Sequence, residues 1–106
     1  MELEQIVMNI IIYSGEARAF AYEALHKVNE GKYDEALSLM EKADEEVGKA
    51  HDIQSTLLQK ESAGDTVNVS ILFVHAQDHL MTSISEKNLI REIIELRKIV
   101  NTLMNK

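Results

Sequence analysis

The chain has 106 residues, enough for one compact domain over 1–106, and carries 11 Lys or Arg against 18 Asp or Glu for a net charge of −7. That balance excludes the basic stripe on which nucleic-acid affinity depends and disfavours an anionic membrane surface. The lack of Cys excludes disulfides and thiolate chemistry.

No apolar run reaches the roughly 20 residues that span a bilayer. Met1-Glu2-Leu3-Glu4-Gln5 lacks the basic region of a secretory signal. The expected location is the cytoplasm, with the acidity serving as ordinary solubility charge on outer helix faces.

Pro is absent, while Ala, Leu, Glu, Lys and Met are plentiful, which removes the main helix breaker and favours an all-α fold. The first helix is predicted over about 2–30. There Leu3, Val7, Ile10, Ser14, Ala17, Ala21, Ala24 and Val28 recur at steps of three and four and share one stripe. Gly31 supplies a C-terminal stop because it can take the left-handed conformation. Asp34 is the expected N-cap of a second helix over about 34–62. Its buried stripe is read as Leu37, Met40, Ala43, Val47, Ala50 and Leu57, and Ser62-Ala63-Gly64-Asp65 ends it.

The third helix is predicted over about 68–104, starting between Val67 and Ser70. Its first half, Ile71-Leu72-Phe73-Val74 through Leu80-Met81 and Ile84, is apolar on nearly every side. Its second half shows a heptad seam, Leu89, Ile93, Leu96, Val100 and Leu103. Helices of about 30 residues are on the order of 45 Å long. Three of them joined by short turns make an antiparallel up-down-up three-helix bundle.

Such a bundle needs one apolar stripe per helix, and the third helix has more than one. A helix that is apolar all round is normally buried all round. The expectation is a homo-oligomer with the third helices near the symmetry axis; a monomer with an unusually buried third helix is the alternative. Taken alone, the β-branched and Leu pattern of the seam favours a parallel dimer.

His75, Asp78 and His79 lie within one turn of this helix, on one face. Extending the seam backwards places His75 and His79 on it, where polar groups need a reason to be. Two His four apart beside a carboxylate can bind zinc, although no general-base Glu of the H-E-x-x-H kind accompanies them. Neutral imidazole is also a good nucleophile near pH 7. Histidines that merely fix the register of an oligomer are the third reading. Spacing alone leaves all three open.

Val74-His75-Ala76-Gln77-Asp78-His79-Leu80-Met81-Thr82-Ser83 closely resembles the active-site segment of the enzyme IIA proteins of the lactose/cellobiose phosphotransferase family. Ser14-Gly15-Glu16-Ala17-Arg18 with Ala21-Tyr22-Glu23-Ala24-Leu25 resembles the family's first helix, and Ala50-His51 with Gln54 its second. The resemblance implies a phosphorelay. His75 would accept a phosphoryl group from phospho-HPr and pass it to a cysteine of a IIB protein, coupled to sugar uptake by a membrane IIC protein.

The resemblance also implies a trimer with the third helices in a central coil. There Asp78 would lie near the axis, where one divalent, Mg-like ion per trimer could relieve the repulsion of three carboxylates. Gln77 can donate amide hydrogens to a phosphoryl oxygen, and His79 orients groups within the site. For His51 a packing role stands beside a role at the site, and His26 is read as surface.

Val-His-Ala ahead of Gln-Asp-His looks like the cellobiose or diacetylchitobiose branch more than the lactose branch. The absence of a Gly-rich phosphate loop agrees with a carrier that uses no nucleotide. The functional alternative is a non-catalytic helical oligomer using its histidines for metal-linked assembly or regulatory binding.

Overall fold

The computed structural model describes residues 2–105 except Asn68, with the backbone alone at Glu2. It consists of α1 (Glu2–Asn29), α2 (Tyr33–Ser62) and α3 (Ile71–Met104), arranged up-down-up in a rod of 61 × 20 × 20 Å. Among the described residues there is no strand.

The ends of the helices follow from a few residues. Gly31 takes a φ of 79°, which lets its N–H donate to Val28 O and the Lys32 N–H to Lys27 O, both at 2.9 Å, closing α1. Gly64, with a φ of 97°, closes α2 in the same way through Glu61 O at 3.1 Å and, from the Asp65 N–H, Lys60 O at 3.0 Å.

Asp34 is not the N-cap of α2. Lys32 holds that position without a side-chain bond, and Asp34 with Glu35 lies inside the first turn, where carboxylates still meet the positive end of the helix. The start of α3 is set at Ile71, because Ser70 is extended and its hydroxyl accepts the Phe73 N–H at 3.1 Å. The expected start at Asn68 lies outside the described residues.

Helix α1 is the hub, packing along both partners, while α2 and α3 meet sparsely. Its predicted stripe is buried as expected from Val7 through Val28, and Leu3 is partly buried. The small side chains of Ser14, Ala17, Ala21 and Ala24 let the neighbouring helices approach closely.

The core has two apolar clusters. Ala21, Ala24, Val28, Leu39, Met40, Ile90 and Ile94 belong to one; Val7, Ile10, Ala50, Leu57, Ala76 and Leu80 belong to the other. Along each helix the buried polar residue, Ser14, Glu46 or Ser83, falls between the two clusters. Glu46 pairs with Lys49 at 2.9 Å, and the close approach of its carboxylate raises the Glu16 carboxyl above its ordinary value.

Leu37 departs from its expected place. It is 61% exposed, and the inward stripe of α2 instead includes Ala36, Leu39, Met40 and Ala43. The stripe is centred on α1, the only helix α2 packs against closely, so Leu37 falls on the flank and lines an open groove with Arg91 and Ile94.

Across that groove the contact is electrostatic. Asp44 accepts from Lys87 at 2.8 Å and from Arg91 at 2.9 and 2.8 Å.

The seam predicted on α3 is the helix's outer face. Leu89, Leu96 and Leu103 are each more than 60% exposed, and Ile93 and Val100 are exposed as well. The face packed inside the chain is Ala76, Leu80, Ser83, Ile90 and Ile94. Helix α3 therefore carries two apolar faces, and one chain covers one of them.

Partial burial raises the pKa of Asp44, but the hydrogen bonds and charges of Lys87 and Arg91 outweigh it and hold the carboxyl below its ordinary value. Its stabilising contribution is present above the unfolded value of about 4 and is lost as pH falls through the lower folded value. Asp44→Asn should cost about 1 kcal/mol at neutral pH and low salt, as expected for a partly exposed ion pair. In thermal unfolding, the gap between wild type and variant should close as the solution is acidified below about pH 4. A gap independent of pH would contradict the bridge.

Candidate functional site

The first turns of α3 bring His75 and His79 together. Their rings stack, with centroids 5.8 Å apart and planes 14° from parallel, as side chains four residues apart on a helix permit. His75 is exposed within the chain and His79 is half-buried. The reason lies on α1: residue 15 is Gly, and a Cβ there would sit 3.6 Å from His79 Nε2, so the imidazole rests against a bare stretch of helix.

The other expected residues are distributed around α3. Asp78 is exposed on the outer face, on the same side as the exposed Val74 and Met81. Gln77 lies about 200° around the helix from His75. Its Oε1 is buried without a hydrogen-bond partner, so within one chain it is not beside that ring. His51, on α2, comes within 3.5 Å of Ser55 Oγ. His26 lies exposed in the last turn of α1. Among the described residues no three His, Asp or Glu side chains gather to hold a metal ion.

A set of residues that sequence reasoning did not single out surrounds His79. Arg18 of α1 reaches across to α3. Its Nη1 lies 3.3 Å from His79 Nδ1, its Nη2 donates to Thr82 Oγ1 at 2.9 Å, and its Nε lies 2.9 Å from Glu86 Oε1. The Tyr22 hydroxyl donates to the other oxygen of Glu86 at 2.7 Å.

The spacing was visible in the sequence. Arg18 and Tyr22 are four apart on α1, and His79, Thr82 and Glu86 follow steps of three and four on α3. What periodicity does not give is the register that sets one stripe against the other.

Burial pushes His79 below the ordinary imidazole value, and the positive charges of Arg18 and of protonated His75 push the same way. Asp78 and Glu86 oppose them without prevailing. The hydrogen bond to Glu86, and that carboxylate's charge, raise Tyr22. The site therefore presents an exposed imidazole stacked on one that stays neutral at pH 7, a pairing suited to nucleophilic chemistry.

The same stretch of chain matches known proteins. Residues 5–98 match the family model described as "PTS system, Lactose/Cellobiose specific IIA subunit". The oligo-beta-mannoside-specific EIIA component of Bacillus subtilis is 43% identical over 98 residues, covering 92% of this chain and 89% of that protein. A cellobiose-specific enzyme IIA from Bacillus anthracis superposes with a TM-score of 0.93 at 43% identity, over 96% of this chain and 94% of the other. The IIA(Chitobiose) in an HPr complex of Escherichia coli superposes with a TM-score of 0.84 at 39% identity, over 95% and 98% of the two chains.

The direction of the His79 shift can be tested directly. In a ring-proton NMR titration its midpoint should fall below about 6.5, and a midpoint above that value would contradict the burial and the Arg18 contact. The unfolded chain protonates this position first, so acidification through about pH 6.5 should remove stability until the folded value is passed.

Proposed function

Because the chain belongs to the lactose/cellobiose-specific IIA family of the sugar phosphotransferase system, a family of phosphotransferase components, we propose that it is a phosphocarrier whose acceptor is His75. The observation that carries this reading is the exposure of His75 beside a partner ring that stays neutral. Both the donor and the acceptor are proteins, so the reacting nitrogen has to stand at the surface.

The donor is phospho-HPr. A ring nitrogen of neutral His75 attacks phosphorus, a nitrogen–phosphorus bond forms, and the bond to the donor's histidine breaks. In the second transfer a thiolate of the cognate IIB protein attacks, so that a sulfur–phosphorus bond replaces the one to His75. Neither step needs a nucleotide. The HPr complex of a structural relative supports the donor assignment.

His79, stacked on His75, orients the site. Gln77 can serve as a donor to the phosphoryl group only where its amide meets the His75 of another copy.

The assembly assigned to the chain is a trimer with α3 in a central coil, supported by the uncovered outer face of that helix. Asp78 lies on that face. One chain supplies a single carboxylate, which is no metal site, whereas three copies would set three carboxylates together for one Mg-like ion per trimer. No step of phosphoryl transfer runs through that ion.

The transported sugar is assigned as a β-linked disaccharide of the cellobiose or diacetylchitobiose type, taken up by the membrane IIC protein while this chain works in the cytoplasm. Among the described residues no helix is long and apolar enough to cross a membrane.

Incubation with phosphoenolpyruvate, enzyme I and HPr should place one acid-labile phosphoryl group on each chain and none on His75→Ala. Absence of uptake by the wild type would overturn the proposal. Asp78→Leu should keep or strengthen the oligomer, because it removes buried like charges. Dissociation of that variant in light scattering would contradict this and point to an essential metal.

A further inference from the structure

An arginine beside a phosphoryl-accepting histidine is first read as a phosphate ligand, but Arg18 is already engaged. Its Nη2 donates to Thr82 Oγ1 at 2.9 Å, its Nη1 lies 3.3 Å from His79 Nδ1, and its Nε forms an ion pair with Glu86 Oε1 at 2.9 Å without an aligned hydrogen bond. The guanidinium has donors and no acceptor, so it is the donor towards both Thr82 and His79. Thr82 accepts from Arg18 and passes its own hydrogen to Asp78 O at 2.8 Å. Glu86 is held in turn by the Tyr22 hydroxyl at 2.7 Å.

The remaining contact decides where a proton sits. His79 Nδ1 faces a group that only donates, so Nδ1 must present its lone pair, and in the neutral ring the proton is on Nε2. We propose that Arg18, braced by Glu86 and Tyr22, is a positioning residue that holds His79 in its Nε2–H tautomer and fixes the ring plane on which His75 stacks. Among the described residues no hydrogen bond reaches Nε2, and Gly15 leaves that edge without a covering side chain. The Nε2–H is then the one donor His79 can offer to a phosphoryl oxygen on its neighbour. Arg18 acts on the transfer through His79 and not by binding the phosphoryl group.

The inference deepens the carrier reading and rests on it for its kinetic part alone. The tautomer is measured on unphosphorylated protein labelled with nitrogen-15 in its histidine rings. Long-range proton–nitrogen correlation is read about two pH units above the ordinary imidazole value, where the His79 ring is neutral. Wild-type His79 should show an unprotonated Nδ1 in a single tautomer. Arg18→Met and Glu86→Gln should both give nitrogens averaged between tautomers.

Uptake of phosphate from phospho-HPr should slow on the order of tenfold in both variants, the effect expected from losing one charge-assisted hydrogen bond. Glu86→Gln separates the two roles of Arg18, because it loosens the brace and keeps the guanidinium charge; it also carries the test should Arg18→Met fail to fold. A protonated Nδ1 in the wild type, or nitrogen shifts unchanged in Glu86→Gln, would overturn the proposal. So would Glu86→Gln taking up phosphate as fast as the wild type while Arg18→Met is slow, which would make Arg18 a direct phosphate ligand. Wild-type protein that takes up no phosphate would sink the carrier reading and leave the tautomer result standing.

Discussion

Apolar burial along α3 is divided between two faces, and the chain can satisfy only one of them. Ala76, Leu80, Ser83, Ile90 and Ile94 pack inside the bundle, while Leu89, Ile93, Leu96, Val100 and Leu103 run exposed along the other side. A fully buried Leu is worth about 1.5–3 kcal/mol over an exposed one, so three leucines left mostly in water make the lone chain a poor resting state. The sparse contact between α2 and α3 belongs to the same arrangement, since α3 leans on α1 and its remaining surface is left uncovered. Copies of the chain are the proposed cover, because a closed ring of identical helices would present the same apolar seam to each neighbour.

The site follows from this division. His79 lies where α3 meets α1, close enough to Gly15 and Arg18 to be held by them, whereas Asp78, one residue earlier, is on the outer side. His75 shares the His79 side of the helix but stays exposed. A single helical turn thus presents an exposed imidazole, a ring anchored to the neighbouring helix and a carboxylate on the outer face. The anchoring network is polar and cross-helical, so it fixes the orientation of α3 around its own axis more sharply than apolar packing alone would.

Much of the fold was legible in the sequence because the signals were local. The stripe of α1 follows a strict three-four spacing and is buried where expected, and Gly31 and Gly64 end their helices through the left-handed conformation that Gly tolerates. Leu37 was misplaced because α2 faces one helix closely and the other hardly at all, a fact of tertiary packing that periodicity does not carry. Asp34 was read as a cap from residue type alone, while the tight turn at Gly31 starts the helix one residue before it. The Arg18 network went unread for a related reason: each half has helical spacing, but their meeting depends on the register of α1 against α3. The chemistry of His75 came from neither source. Spacing gathered the histidines, and only family resemblance assigned a phosphoryl group to one of them.

In the proposed assembly the outer face of α3 is an interface that three chains share. Sedimentation equilibrium of the purified protein at micromolar concentration tests it most directly. One species at three times the 12.0 kDa of the chain, stable to dilution across the accessible range, is expected. A species at the mass of a single chain would mean that the exposed leucines are left in water, and one at twice that mass would replace the central coil with a pair.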